Sequence, residues 1–558
     1  MFTRSSRASI LARMSGRRFR SSKRNMALCR GVISTYIALC MGHIVGRQVT
    51  VTADIALAKC WLDDCVESHE ICPKSLNSRL PSRILDLGPP GGASDLRLLV
   101  NVESCGRYAT LSHCWGNSQP LKLTQTTYDE FQEKIAYESL PKTFQDAVTA
   151  TRSLGLRYLW IDSLCIIQGS KRDWEEQCTE MRRIYKDSFV TLAGPAASGC
   201  DSGFLHHARH TSSQAALQWS EGESFDEAIL SHRSINERPY TLVPETDSPL
   251  SKRAWVLQER QLSSRVLYFG KKRMYLECFT NVRFEDSHYP IIWEYAEINM
   301  VEKLKIDRLG SHFKCFKYWA ELINTYSSMD LTNMTDRLPA LSGIASEFQR
   351  VTNARYLAGV WLEDMPRALA WHIPFYTNSG APQLTSASNY IAPSWSWAAA
   401  KCGVLFVRNI VDNEFYSHLV IIDAGTTPTG LDPFGMVDGG YIIASGKIQS
   451  GLVRELPDLH VAGRRTLYLQ SSNSERVAIY DPDDASRVLG SEFRVLLLYL
   501  GMYRVGGCCV ALGIEPVDAH YNTYRRVGLA YTDALLYQPW VHFTDFFRGT
   551  SQSRLRLI

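Results

Sequence analysis

Several things are missing from this sequence, and each absence narrows what the chain does. No segment offers the roughly 18 or more uninterrupted apolar residues of a membrane-spanning helix. The most apolar stretch near the start, 27–46, is broken by Arg30 and His43. No G-x-x-x-x-G-K-[ST] run occurs, which removes the best-known phosphate-cradling loop. The LGPPGGA run at 87–93 lacks that spacing and reads as a boundary loop. Fifteen cysteines are scattered from Cys29 to Cys509 without the dense spacing of a secreted disulfide framework. They read as mostly buried thiols in a reducing compartment. No repeat of fixed period is present.

Acid is absent from residues 1–53, which carry ten Lys or Arg. The rest holds 51 bases against 57 acids, so the formal total of +4 conceals a basic tail on a mildly acidic body. That body has no broad electrostatic footprint for nucleic acid, and no nucleic-acid partner is expected. The Arg- and Ser-rich tail has the composition of a transit peptide. Targeting, a weak membrane anchor and a disordered start all remain open for it. The body reads as cytoplasmic, with mitochondrial targeting by the tail as the alternative and no stable membrane span.

What is present is a large apolar inventory. The 558 residues are 45% hydrophobic and include 13 Trp and 26 Tyr, enough for two to four packed domains. Residues 54–75 predict a helix with Ile55, Leu57, Ala58, Trp61, Leu62 and Cys65 as its stripe, limited by Pro73. Within it Cys65, His69 and Cys72 have C-x3-H-x2-C spacing, which puts three candidate ligands on one helical face. A metal site needs a fourth ligand, and Cys60 is displaced around the helix. Helix packing therefore competes with a metal, and no metal is assigned.

From residue 96 the pattern alternates. YATLS at 108–112 and YLWI at 158–161 read as strands, as does 189–193. Helices are expected at 143–155 and 174–187, the first with Thr143 and Asp146 at capping-box spacing and a stop at Gly155. Strand, helix, strand, helix, strand argues for a parallel sheet. Residues 297–350 read as mostly helical. Beyond Tyr356 short apolar runs such as 441–448, 494–500 and 508–512 predict an antiparallel β-rich region.

Four segments carry a resemblance: YATLSHCWG at 108–116, LPKTFQDAVTATRSLGLRYLWIDSLCIIQ at 140–168, DWEEQCTEMRRIYKDSFVTLAG at 173–194 and RAWVLQERQLSSRVLYF at 253–269. Together they resemble the fungal heterokaryon incompatibility (HET) domain family. CWLDDCVESHEIC before them, and LTNMTDRLPALSGIA and YIAPSWSWA after them, look like companions of the same family. The resemblance implies a role in fungal non-self recognition, with a domain that triggers cell death and acts with protein partners. It also implies distant similarity to TIR domains, small flavodoxin-like α/β modules with a parallel sheet. Some of these cleave NAD with a glutamate on a helix.

The domain reading is a basic tail at 1–53, a helical Cys/His segment at 54–90, the HET domain at 91–270, a helical linker at 271–350 and a β-rich domain at 351–558. In an open parallel sheet ligands sit beyond the carboxyl ends of the strands. There Ser112, Trp115, Gly116 and Asp162 are the candidate ligand-binding residues: Trp115 to stack on a flat ring, Gly116 to admit backbone, Asp162 to accept ribose hydroxyls. The competing reading has Trp115 in a core and Asp162 capping the next turn through Ser163. By its place in the motif, Glu176 is the candidate catalytic carboxylate, although it falls opposite the Trp174/Met181 stripe. The Ser112-His113-Cys114 run does not form a nucleophilic dyad, because adjacent strand residues face opposite ways. Glu259 is expected to pair with Arg253 or Arg260, or to belong to a functional surface. No cofactor is assigned, and NAD enters as a substrate. NAD cleavage and non-catalytic self-assembly stay open. The alternative from another class is a metabolic or small-molecule-binding enzyme on a flavodoxin-like sheet.

Overall fold

The computed structural model describes residues 51–74, 77–89, 95–116, 121–205, 214–221, 224–231, 248–271, 273–285, 291–292, 309–373, 390–407, 415–455, 467–470, 476–483, 492–504, 507–518, 520–532 and 539–558. Residues 1–50 of the basic tail, 90–94 of the boundary loop, 117–120 of the loop after YATLS and 297–308 of the helical stretch lie outside them. Two compact units divide the chain: Met1–Val49 with His210–Arg238, and Thr50–Arg209 with Pro239–Ile558. In the first, an antiparallel hairpin pairs Gln214–Glu221 with Ser224–Ser231. Every other described element belongs to the second.

Helix α1 (Val51–Ser68) forms because Ile55, Ala58, Trp61, Leu62 and Cys65 recur on one face, and all five are buried. It stops at Ser68 rather than running to residue 75. The Ser68 hydroxyl donates to Asp64, and the His69 N–H reaches Cys65 O at a long 3.4 Å.

The first sheet is built from β1 (Arg83–Asp86), β2 (Arg97–Val100), β3 (Tyr108–Ser112), β4 (Tyr158–Trp160), β5 (Val190–Ala193), β6 (Arg265–Phe269), β7 (Met274–Cys278), β8 (Asn281–Phe284) and β9 (Ile291–Ile292). Its order is β9-β8-β7-β6-β5-β3-β4-β1-β2. The four central strands, β4-β3-β5-β6, are parallel, and the outer ones are antiparallel. The sheet is thus mixed, not the parallel sheet expected. Short hairpins add edges on both sides, and β7 to β9 lie inside the segment expected to be a helical linker.

The crossovers carry α2 (Lys142–Ser153), α3 (Lys171–Lys186) and α4 (Ala254–Leu262). Gly155 ends α2 as expected, at φ +81°, with Gly155 N–H donating to Arg152 O. Thr143 and Asp146 do not form a capping box, because Pro141 is the N-cap. Thr143 instead donates to Gly199 O, and Asp146 accepts from the N–H groups of Phe204 and Leu205. The pair ties down the loop that comes after β5.

Helices α5 (His312–Tyr326) and α6 (Ser342–Thr352) pack next. Glu347 of α6 receives Arg182 and Lys186 of α3 at 2.5 and 2.8 Å. The C-terminal sheet comprises β10 (Phe415–Ser417), β11 (Val420–Pro428), β12 (Val437–Glu455), β13 (Leu467–Gln470), β14 (Arg476–Pro482), β15 (Glu492–Tyr503), β16 (Cys509–Asp518), β17 (Thr523–Tyr531) and β18 (Gln552–Leu557). Pairing of β12 with β15 closes the ring β12-β15-β16-β17-β14-β13 into a barrel. Alternation explains the run VLLLYL at 495–500. Val495, Leu497 and Tyr499 enter one core with Phe543 and Phe547, while Leu498 and Leu500 enter the main core. Among the described residues no helix is long and apolar enough to cross a membrane.

Candidate active site

Strand β3 sends its crossover to β4 on one side, while β5 lies on the other. The carboxyl ends of β3 and β5 therefore lie at the topological switch point, the position where α/β sheets bind ligands. Three sequence segments meet there.

Ser112, the last residue of β3, donates to Glu259 Oε2 at 2.5 Å. Both are buried. Burial pushes the Glu259 carboxyl up from an ordinary 4.5 to about 7, against the lowering effects of Ser112, Arg253 and Tyr185. The contrast with Glu277, equally buried, is instructive. Glu277 is clasped by the Arg260 guanidinium at 2.6 Å and by the Tyr268 hydroxyl at 2.9 Å. Arg260 thus pairs with Glu277 and not with Glu259. Glu259 has hydroxyls, Ser112 and Tyr185, as its direct partners and only the more distant charge of Arg253, which is why desolvation prevails.

Asp162 opens the short helix after β4. Its Oδ1 accepts the Ser163 N–H at 2.7 Å, and its Oδ2 accepts Trp115 Nε1–H at 2.9 Å. Asp162 thus bonds both Ser163 and Trp115, but the N-cap of that helix is Ile161 and not Asp162. The Asp162 side chain remains 27% exposed, so it faces solvent while Glu259 does not. Lys122 lies over the Trp115 ring, 5.6 Å from its centroid.

His113 is enclosed, edge-on to Phe144 at 5.1 Å, with Nδ1 4.0 Å from Asp162 and Nε2 without a partner. Burial lowers its pKa to about 4, so the imidazole is neutral near pH 7. Arg253 donates to the His113 carbonyl, locking the start of α4 to the end of β3. Gly116 has φ +72°, and a Cβ there would stand 2.7 Å from Gly199 Cα. Its backbone approaches another backbone, the loop after β5, where close approach of a ligand was expected.

Residues 108–259 match the family model described as heterokaryon incompatibility protein (HET). This segment is a HET domain. No curated protein and no solved structure matches the chain significantly. The HET match begins at Tyr108, the first residue of β3, and ends at Glu259, the residue that receives Ser112. It ties the chain to heterokaryon incompatibility.

Of the residues singled out from sequence, Ser112, Trp115, Gly116 and Asp162 come together at this end of the HET sheet. Glu176 stands elsewhere: its side chain is 44% exposed on α3 and accepts from Arg172 one turn earlier at 3.0 Å. Glu259 was not singled out as a site residue. The available signal was its position on α4 between Trp255 and Leu262, three to four residues away on the same helical face. A cavity of about 490 Å³ is lined by Arg355, Leu362, Met365 and residues of β11, and by none of this cluster.

Cys65, His69 and Cys72 also converge, on a buried fourth residue, Cys278 at the end of β7. Cys60 is exposed and takes no part.

Proposed function

We propose that the chain is an effector of fungal heterokaryon incompatibility whose HET domain triggers regulated cell death through chemistry at the carboxyl ends of β3 and β5. The observation that carries this reading is Glu259, a buried carboxylate with its pKa near 7 at a topological switch point, beside the solvent-facing Asp162. Perturbed acids at such positions are the usual mark of a working site.

NAD is the substrate this reading assigns. Hydrolysis would break the bond between nicotinamide and ribose, add water to the ribose carbon and release nicotinamide, ADP-ribose and a proton. Trp115 offers a ring to stack on, Asp162 an acceptor for ribose hydroxyls and negative charge for the oxocarbenium character of the transition state, and Glu259 a proton site near neutrality. The order β4-β3-β5-β6 is that of the first four strands of a flavodoxin-like sheet, which supports the TIR-like comparison. That comparison assigns the carboxylate role to Glu176, and both acids belong in the test.

A second reading, signalling by self-assembly without chemistry, is favoured by the enclosure of Ser112 and Glu259, 3% and 8% exposed. Incubating the purified full chain with NAD separates the two. Nicotinamide release, lost in Asp162→Asn and Glu259→Gln and kept in Glu176→Gln, is the result expected. A chain that kills its host yet releases no nicotinamide would leave assembly as the mechanism.

A further inference from the structure

Away from the HET site, the same compact unit contains a complete ligand set for zinc. We propose that Cys65, His69, Cys72 and Cys278 bind one zinc ion that fastens α1 and the segment after it to β7, an antiparallel strand of the HET sheet. The four ligand atoms all lie within 4.8 Å of one another, and all four residues are buried. His69 Nδ1 is 3.7 Å from Cys72 Sγ and 3.4 Å from Cys278 Sγ. A tetrahedral zinc with ordinary Zn–S and Zn–N bonds requires an S···N edge of about 3.6 Å. The pocket is already the right size.

The surroundings fit as well. Arg265 is 2% exposed, a cation that needs an anion nearby. Its guanidinium donates to Cys65 Sγ at 3.2 Å, to Phe189 O at 3.3 Å and to Pro73 O. Among these partners only sulfur can carry charge. Three thiolates, a neutral imidazole and Zn²⁺ sum to −1, which Arg265 cancels.

The far side of His69 completes the shell. Its Nε2 lies 3.2 Å from the Asn281 side-chain amide, whose other end is 3.7 Å from Cys278 Sγ. With the amide oxygen toward His69, Nε2–H donates to it, Nδ1 keeps a free lone pair for the metal, and the amide N–H donates to the Cys278 thiolate. The Asn281 backbone N–H donates to the same sulfur at 3.4 Å. Four protein ligands leave no open position, so the site is structural rather than catalytic. It also joins positions 209 residues apart in the chain.

Metal analysis of the purified full chain tests this, first as isolated and then after replacement of the metal by Co²⁺. One equivalent of zinc is expected, and the cobalt form should show thiolate-to-cobalt charge transfer with tetrahedral d–d bands. Cys278→Ser should lose the zinc. Because that variant risks failing to fold, two others accompany it. His69→Cys should keep one equivalent, with a stronger charge-transfer band from four thiolates, and Cys60→Ser should be indistinguishable from wild type. A folded wild-type chain without stoichiometric zinc, another metal in its place, a disulfide among Cys65, Cys72 and Cys278, or full zinc retention by Cys278→Ser would each overturn the proposal.

Discussion

Among the described residues the HET sheet and the C-terminal barrel sheet each contain nine strands and each holds a buried ion pair, Arg260 with Glu277 and Arg526 with Asp483. Yet a carboxylate packed against the HET sheet, Glu259, is buried without one. In the barrel, the buried Arg526 has a carboxylate partner. It meets Asp483 at 2.8 Å, donates to Leu369 O at 2.9 Å and to Trp371 O, and lies over the Trp371 ring. Glu259, on α4 against the HET sheet, is buried too but is held by hydroxyls. A buried charge with a counter-ion specifies structure, whereas one held by neutral partners keeps a proton it can exchange near neutral pH. The strands also differ in length. Barrel strands range from the four residues of β13 to the 19 of β12, and β15 to β17 bury both faces over much of their length. Strands β3, β4 and β5 are three to five residues long and almost wholly buried.

Breaking the barrel pair should have the largest effect on stability. Asp483→Ala strands Arg526 without its counter-ion and should cost about 3–5 kcal/mol, read from denaturant unfolding of the full chain. If the loss is below about 1 kcal/mol, the contrast between Arg526 and Glu259 is wrong.

Glu259→Gln should sharpen the contrast through pH. The folded-state pKa is raised, from 4.5 to about 7, so the folded chain holds a proton that the unfolded chain loses. Stability from this group is therefore complete below pH 4.5 and falls as pH rises to 7, by on the order of 3 kcal/mol in all. The Gln variant lacks that decline. His113 works in the reverse sense: its lowered pKa of about 4 costs stability as pH falls below 6.5 in both chains. The difference between wild type and variant isolates Glu259, and superimposable pH profiles would show an unperturbed carboxyl.

Gly116→Ala should cost about 1–3 kcal/mol, because a Cβ at positive φ meets the Gly199 backbone. An unchanged unfolding midpoint would mean that the loops after β3 and β5 are not in that contact. The smallest change belongs to Glu176→Gln, which removes one exposed i,i+4 pair with Arg172 and should alter stability by less than about 0.5 kcal/mol.

Local pattern carried much of this molecule. The strand at 108–112, the helix stop at Gly155 and the cluster of Ser112, Trp115 and Asp162 were readable because strand period, glycine and strand-end logic act over a few residues. What escaped depended on distance in the chain. Nothing near Cys278 announces a partner at Cys65, and Glu259 reads as one more helical acid until β3 is laid beside it. The antiparallel edges of the HET sheet were missed because β7 to β9 are short hairpins with no crossover helix to mark them. Thr143 and Asp146 had the spacing of a cap, but tertiary contacts with 199–205 claimed both side chains. Closure of the barrel rests on the pairing of β12 with β15, which no local signal specifies.

The most direct test of the central claim is the growth of a fungal host expressing the chain at matched levels as wild type, Glu259→Gln and Glu176→Gln. Death with wild type and Glu176→Gln, and survival with Glu259→Gln, is the result predicted if the site at the ends of β3 and β5 does the work. Death undiminished by Glu259→Gln, in a protein that still folds, would contradict it.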